Sequence, residues 1–321
     1  MSSRIRIVAV VVAVVLLAAV AVGYTVRADR PAAVAQVTGE PVTLDAGRLL
    51  VVTDRHLSAV APGDPGGPRT VSAVECVRAY AAAGTGICLR QRTAWAYQVV
   101  VLDAGLRQTR AFDVAGLPNR ARVSASGRMV AWTTFVGGDS YTSSGFSTRT
   151  GILDTVTGEI VTGLEDFAVT LGGRPYRHVD VNFWGVTFGA DDQLFYASMS
   201  TGGRRYLVRG NVADRKVTAV RENVECPSLS PEGDRIAFKE ALGGDPRRGW
   251  RLSVLDLATM RVTATAEPAS VDDQAAWLDG ATLAYTLRGS DGTPAVWTVP
   301  ADGTGSSRLL VPGAESPSPA R

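Results

Sequence analysis

The chain repeats itself, and that repeat limits the fold more than any other feature of the sequence. Ser230-Pro231-Glu232-Gly233-Asp234-Arg235-Ile236-Ala237-Phe238 reads as a tight turn followed by a short apolar strand, and Ser124-Ala125-Ser126-Gly127-Arg128-Met129-Val130-Ala131-Trp132 restates it. Weaker copies run from Asp45 to Val51, Ala83 to Leu89, Ala190 to Tyr196 and Asp279 to Tyr285. The turn position falls at 47, 84, 127, 192, 233 and 280, so successive intervals are 37, 43, 65, 41 and 47 residues. Most of these are close to the roughly 40–50 residues of a four-stranded propeller blade. The long interval holds an insertion, most visibly the Ser, Thr and Gly rich stretch from Gly137 to Thr150, expected to be a mobile loop.

About 20 residues after each turn comes a second element, an apolar strand ending in a polar turn. Examples are Ser253 to Thr259, Gly151 to Gly158 and Val100 to Gly105, with Trp297 to Gly303 as a variant. Each unit therefore supplies about four strands. The glycine takes the positive-φ position of a hairpin. The β-branched and aromatic run after it packs against neighbouring units. One blade cannot bury both of its faces, so six close into a ring. The expected fold is an all-β six-bladed propeller over 41–313, with 314–321 as a C-terminal tail. Two closures are open: Pro41-Val42-Thr43-Leu44 is the first inner strand, or Ser316-Pro317-Ser318-Pro319 pairs there. The prolines weigh against the second.

Arg4 and Arg6 precede an apolar run from Ile7 to Gly23 that lacks a polar face. The run is long for a signal-peptide core and short for a spanning helix. Residues 1–24 are read as a signal anchor in preference to a signal peptide cleaved near Ala21, and 25–40 as a linker. The remainder is then extracytoplasmic and held to the membrane by one N-terminal helix, with Arg4 and Arg6 inside. Of the 33 basic residues only Lys216 and Lys239 are lysine, a pattern of GC-rich coding rather than of folding. The net charge of +2 has no clustered basic excess, which excludes nucleic acid as an expected partner.

Ser230 to Phe238 resembles the Ser-Pro-Asp-Gly-x-x-Ile-Ala-Phe repeat of TolB-like, WD-repeat-like propellers. The stretches Glu222 to Pro227, Asp180 to Val186 and Ser270 to Trp277 carry the same resemblance, over about residues 41–313. With the N-terminal segment, they look like the membrane-anchored TolB-like translocation proteins of high-GC genomes. The resemblance implies a propeller in the cell envelope. TolB itself has an additional N-terminal α/β domain, for which residues 25–40 leave no room.

Repeat alignment brings four polar connections to one mouth of the axial channel. They carry Asn119 and Arg120; Arg177, His178, Asp180 and Asn182; Asn223 and Glu225; and Asp272, Asp273 and Gln274. Trp184 follows the second and is a candidate lining residue. Converging polar groups at a concave mouth make a binding site, while the same residue types also cap strands and turns. The expected function is non-enzymatic binding or scaffolding of an envelope protein, peptide or glycan by a monomer. The alternative is an exported lyase or glycosidase using carboxylates such as Glu225 and Asp272. No Gly-x-Ser-x-Gly elbow occurs. Asp191-Asp192 and Asp272-Asp273 sit in no recognised calcium loop, and two distant histidines suit zinc poorly, so no metal or cofactor is expected.

Export permits disulfides. Cys76 and Cys88 flank one hairpin, whereas Cys226 lies across the ring from Cys76, so Cys76–Cys88 is the favoured pair with Cys226 free and buried. A two-residue turn at Ala83-Gly84 sets Cys88 opposite Ala79, on the other pleat face from Cys76, and a bulge or longer loop must correct this.

Overall fold

The computed structural model describes residues 41–319, apart from 45–46, 62, 94–95 and 137–146. The signal and linker segments therefore lie outside the described residues, as does Trp95. Among the described residues no helix is long and apolar enough to cross a membrane.

Six antiparallel sheets form the blades, each built on four strands. From the axis outward, blade 2 runs Arg78–Ala82, Thr85–Gln91, Tyr97–Leu102 and Gln108–Val114. Blade 3 runs Leu117–Val123, Met129–Val136, Ser147–Asp154 and Ile160–Val161. Blade 4 runs Asn182–Phe188, Leu194–Thr201, Arg204–Asn211 and Lys216–Glu222. Blade 5 runs Glu225–Leu229, Arg235–Ala241, Trp250–Asp256 and Val262–Ala264. Blade 6 runs Ala276–Trp277, Thr282–Arg288, Pro294–Pro300 and Arg308–Pro312. Each innermost strand touches those of the blades before and after it, which closes the ring around an axial channel.

The period-2 alternation of a strand explains where the core sits. In blade 1, Leu49 and Val51 face blade 6, while Leu50 and Val52 face blade 2. In blade 2, Val100 and Leu102 turn back to blade 1, and Val99 and Val101 turn to blade 3. The buried apolar residues accordingly form six clusters, one at each seam between successive blades. Second and third strands read as near-continuous apolar runs because both of their faces are covered. Packing within a blade is tight enough to select residues: a Cβ on Gly151 would lie 2.2 Å from the ring of its cross-strand partner Trp132.

Closure corrects one expectation. Within the expected tail 314–321, Glu315–Pro319 is instead the innermost strand of blade 1, paired with Leu49–Thr53, which is followed outward by His56–Val60 and Thr70–Glu75. The first and last parts of the ring are thereby fastened in one sheet. The prolines fit because an innermost strand is an edge strand, and Pro317 sits where the register shifts between Leu50 and Val52. Pro41–Leu44 packs on blades 1 and 2 instead, through Val42 and Leu44.

The long interval is also only partly the loop that its composition suggests. Ser147–Thr150 belongs to the third strand of blade 3, with Thr148 and Thr150 buried, and residues 137–146 lie outside the described residues. Further length goes into a hairpin, Ala168–Leu171 and Arg174–Tyr176, which joins the outer edge of blade 4 in parallel to Lys216–Glu222.

Just before that hairpin, Glu165 accepts the backbone N–H of Phe183 at 3.3 Å, while its other oxygen is sealed from water without a hydrogen-bond partner. Burial pushes its carboxyl up to about 7, against the pull of the backbone N–H donors and Arg149. An unfolded glutamate releases its proton near 4.5. The folded state therefore binds more protons between those values, and stability falls as pH rises from about 4.5 to 7. Glu165→Gln is expected to remove that slope and to gain roughly 3 kcal/mol above pH 7, with little change at pH 4. Urea unfolding at the two pH values checks this, and equal gains at both would exclude titration as the cause.

Candidate functional site

Antiparallel order brings the starts of first strands, the ends of second strands and the starts of third strands to one face. There they surround a funnel of about 800 Å³ at the channel mouth. First strands and the connections into them deliver Arg78, Leu117, Asn119, Arg120, Trp184, Glu225, Asp272 and Asp273; second strands deliver Phe135, Lys239 and Arg288; third strands deliver Arg205 and Trp250.

Glu225 is the most enclosed carboxylate of the funnel. Arg205 Nε lies 3.1 Å from one of its oxygens, to which Trp250 Nε1 also donates at 3.2 Å, and Lys239 Nζ lies 3.6 Å from the other. Lys239 reaches Asp272 at 2.5 Å and stands 4.1 Å from the centre of the Trp250 ring. Asp272 extends the chain to Arg120 Nη2 at 3.5 Å. Partial burial works to raise the Asp272 pKa, but Lys239, Arg120 and Arg78 outweigh it and hold the carboxyl below its usual range. Arg120 is buried; that opposes its charge, yet Cys226, Asp273 and Asp272 more than offset the penalty and raise its pKa. Its Nε lies 3.3 Å from the Cys226 sulfur. Asp273, also buried, accepts the Thr286 N–H at 2.9 Å and faces Arg78 at 3.6 Å. Arg78 and Arg288 share Glu315 of the closing strand, at 3.9 and 2.5 Å.

Six of the twelve residues expected at the mouth thus line the funnel: Asn119, Arg120, Trp184, Glu225, Asp272 and Asp273. The other six do not. Asp180 accepts from Thr201 at 2.6 Å and Gly202 N at 2.8 Å, with His178 Nδ1 at 2.6 Å, and these partners hold it ionised against burial. Asn182 accepts Thr148 N and donates to the Asp180 carbonyl, and Arg177 is exposed beside them. Asn223 exchanges two hydrogen bonds with the Ala241 backbone, as a strand would. Gln274 is buried and donates to the carbonyls of Val186 and Pro227, tying blades 4, 5 and 6. These residues hold backbone, the role that Asn and Asp fill in turns. Arg78, Arg205, Lys239, Trp250 and Arg288 were not among the expected residues.

Cys76 and Cys88 form a disulfide with Cα atoms 5.4 Å apart, and Cys226 is free and buried. Cys88 does stand opposite Ala79. Cys76 escapes the pleat rule because it lies in the bend between blades, where its N–H is taken by the Arg55 carbonyl. No group of three or more metal-ligating side chains occurs among the described residues.

An all-β ring of six blades with a charged funnel at one mouth is a six-bladed β-propeller, and comparison with solved structures, TolB among them, agrees on that fold. No family model matches the sequence. No curated protein matches it either. Among solved structures, TolB from Acinetobacter baumannii is 14% identical with a TM-score of 0.62, over 85% of this chain and 66% of that one. The chain thus spans just under two thirds of that TolB. A chain of a nidogen/laminin complex is 10% identical with a TM-score of 0.55, over 84% of this chain and 97% of that one. Propeller enzymes also align, among them an oligogalacturonate lyase in complex with manganese, at 10% identity and a TM-score of 0.47 over 82% and 88% of the chains.

Proposed function

We propose that this chain is a non-enzymatic binding propeller of the cell envelope, tethered by its N-terminal segment, whose funnel engages a protein or peptide segment, or a glycan. The carrying observation is the state of the funnel's charges. Glu225 is engaged by Arg205, Lys239 and Trp250, and Asp272 is held ionised by cations. Glycosidase chemistry needs a carboxylic acid that keeps its proton. Asp272 does not meet that need and Glu225 is taken up by its three partners, whereas a pre-paired lattice is a rigid floor for a ligand. Above it, Leu117 is 58% exposed and pairs across the strand with Phe135, giving the rim an apolar edge beside Arg288 and Asp272. That mixture suits an amphipathic segment of another protein. The Cys76–Cys88 disulfide supports an oxidising compartment.

A photo-crosslinking residue at Leu117 in the full-length protein, used in living cells, is expected to capture a discrete extracytoplasmic partner. The same probe at Val220, on the outer strand of blade 4, should not capture it. Equal yields at the two positions would reject the funnel as the binding surface.

A further inference from the structure

Below the funnel the channel carries a charge that the funnel lattice does not answer. Arg122 follows Arg120 by two residues on the innermost strand of blade 3, so both side chains leave the same face of that strand. Arg122 is 5% exposed. It stands over the Tyr80 ring at 4.2 Å, and its Nη2 donates to the Ala275 carbonyl at 3.2 Å. Its Nε is sealed from water with no hydrogen-bond partner. Among the described residues no carboxylate pairs with it.

A neutral carbonyl and a ring face do not cancel a buried guanidinium charge, and such charges are ordinarily paired. Arg122 lines a small cavity of about 20 Å³ together with Arg78, Asn119, Arg120, Asp273, Gln274 and Ser316. Ser316, on the closing strand, is also buried, and its hydroxyl has no partner. Arg122 and Ser316 thus line one space, and the cations around it outnumber the carboxylates three to one. The volume admits one water-sized occupant. A water there would leave the charge unanswered.

We infer that the axial channel binds one small monovalent anion of halide size, held by Arg122 and Ser316 between its two mouths. The site is separate from ligand capture at the rim. Because Ser316 belongs to the strand that fastens blade 1, the anion also links ring closure to blade 3. It is thus a structural ion, bound by the native ring and not by the unfolded chain.

The test is the melting temperature of the full-length protein as chloride replaces gluconate at constant ionic strength and pH. A ligand bound only by the native state multiplies the folded-to-unfolded ratio by one plus its concentration over Kd. Above Kd, each tenfold rise in chloride should therefore raise the ratio about tenfold and Tm by roughly 2–4 °C. Arg122→Met should abolish this dependence. Ser316→Gly, which keeps the left-handed backbone at φ 55°, should move it to higher chloride. Crystals grown in bromide should show an anomalous peak bounded by Arg122 and Ser316. A wild-type Tm indifferent to chloride overturns the proposal, as does a dependence that survives Arg122→Met. Should Arg122→Met not fold, the bromide crystals decide, and a cavity holding water alone in them also overturns it.

Discussion

A chain ending at Gly313 is expected to show no cooperative thermal transition. The deleted residues include Ala314, Ser316 and Ser318, all buried, and the whole innermost strand of blade 1. Their removal leaves the buried strand Leu49–Thr53 without its inner partner. Each orphaned buried backbone group costs about 1–3 kcal/mol. Several at once approach the whole stability of a typical domain, about 5–15 kcal/mol. Ser318 adds a seam contact, since its hydroxyl lies 2.9 Å from both the N–H and the carbonyl of Ala81 in blade 2. Circular dichroism on heating checks the expectation. A truncated chain melting cooperatively within a few degrees of the full chain would show that the fastening strand is dispensable. Ser318→Ala is the milder form of the same experiment and should cost roughly 1–3 kcal/mol.

That closure was written in the sequence, though not in the composition of the strand. Glu315-Ser316-Pro317-Ser318 repeats Glu225-Cys226-Pro227-Ser228 of blade 5, and the second and third positions do the same work in both. Cys226 and Ser316 adopt φ of 50° and 55°, and each lies at a register shift against the second strand. Pro227 shows that this bulge accepts proline. Judging proline by its general dislike of strands hid a local repeat that permits it. The blade count was legible for a firmer reason: the turn residue ahead of each second strand must tolerate its backbone geometry, and Gly84, Gly127 and Gly233 do so at φ of 73°, 79° and 76°.

The funnel was half legible. Residues at the starts of first strands, such as Arg120 and Glu225, followed from the repeat because that connection recurs seven or eight residues before the glycine turn at Gly127 and Gly233. Lys239, Arg288, Arg205 and Trp250 sit at second-to-third strand turns, whose lengths vary from blade to blade, so alignment alone did not bring them in. They share the funnel face by antiparallel geometry, and that rule would have found them. Asp180 and Asn182 were misplaced for the opposite reason. Their connection is polar as expected, but it bonds to its own blade and to the preceding one, at Thr201 and Thr148.

Glu225→Ala should destabilise the protein by on the order of 3–5 kcal/mol, the usual effect of removing one partner of a buried ion pair. Lys239 and Glu225 are both almost fully buried, so the lost carboxylate cannot be replaced by water at little cost. Asp272 remains beside Lys239 and places the effect toward the lower end. Glu225→Gln keeps an acceptor for Trp250 Nε1 and should cost less. Pairing Glu225→Leu with Lys239→Met removes both charges, and the double variant should recover much of the loss seen in Glu225→Ala. Midpoints of guanidinium unfolding at an unchanged slope measure these differences. The outcome bears on function as well as on stability. A carboxylate whose removal costs several kcal/mol is committed to Arg205, Lys239 and Trp250, and the funnel floor is then a fixed surface for a ligand. If Glu225→Gln and Glu225→Ala both fold as stably as the wild type, the group is not spent on the lattice. It would then be free for chemistry at the channel mouth, and the exported-enzyme reading would displace the binding one.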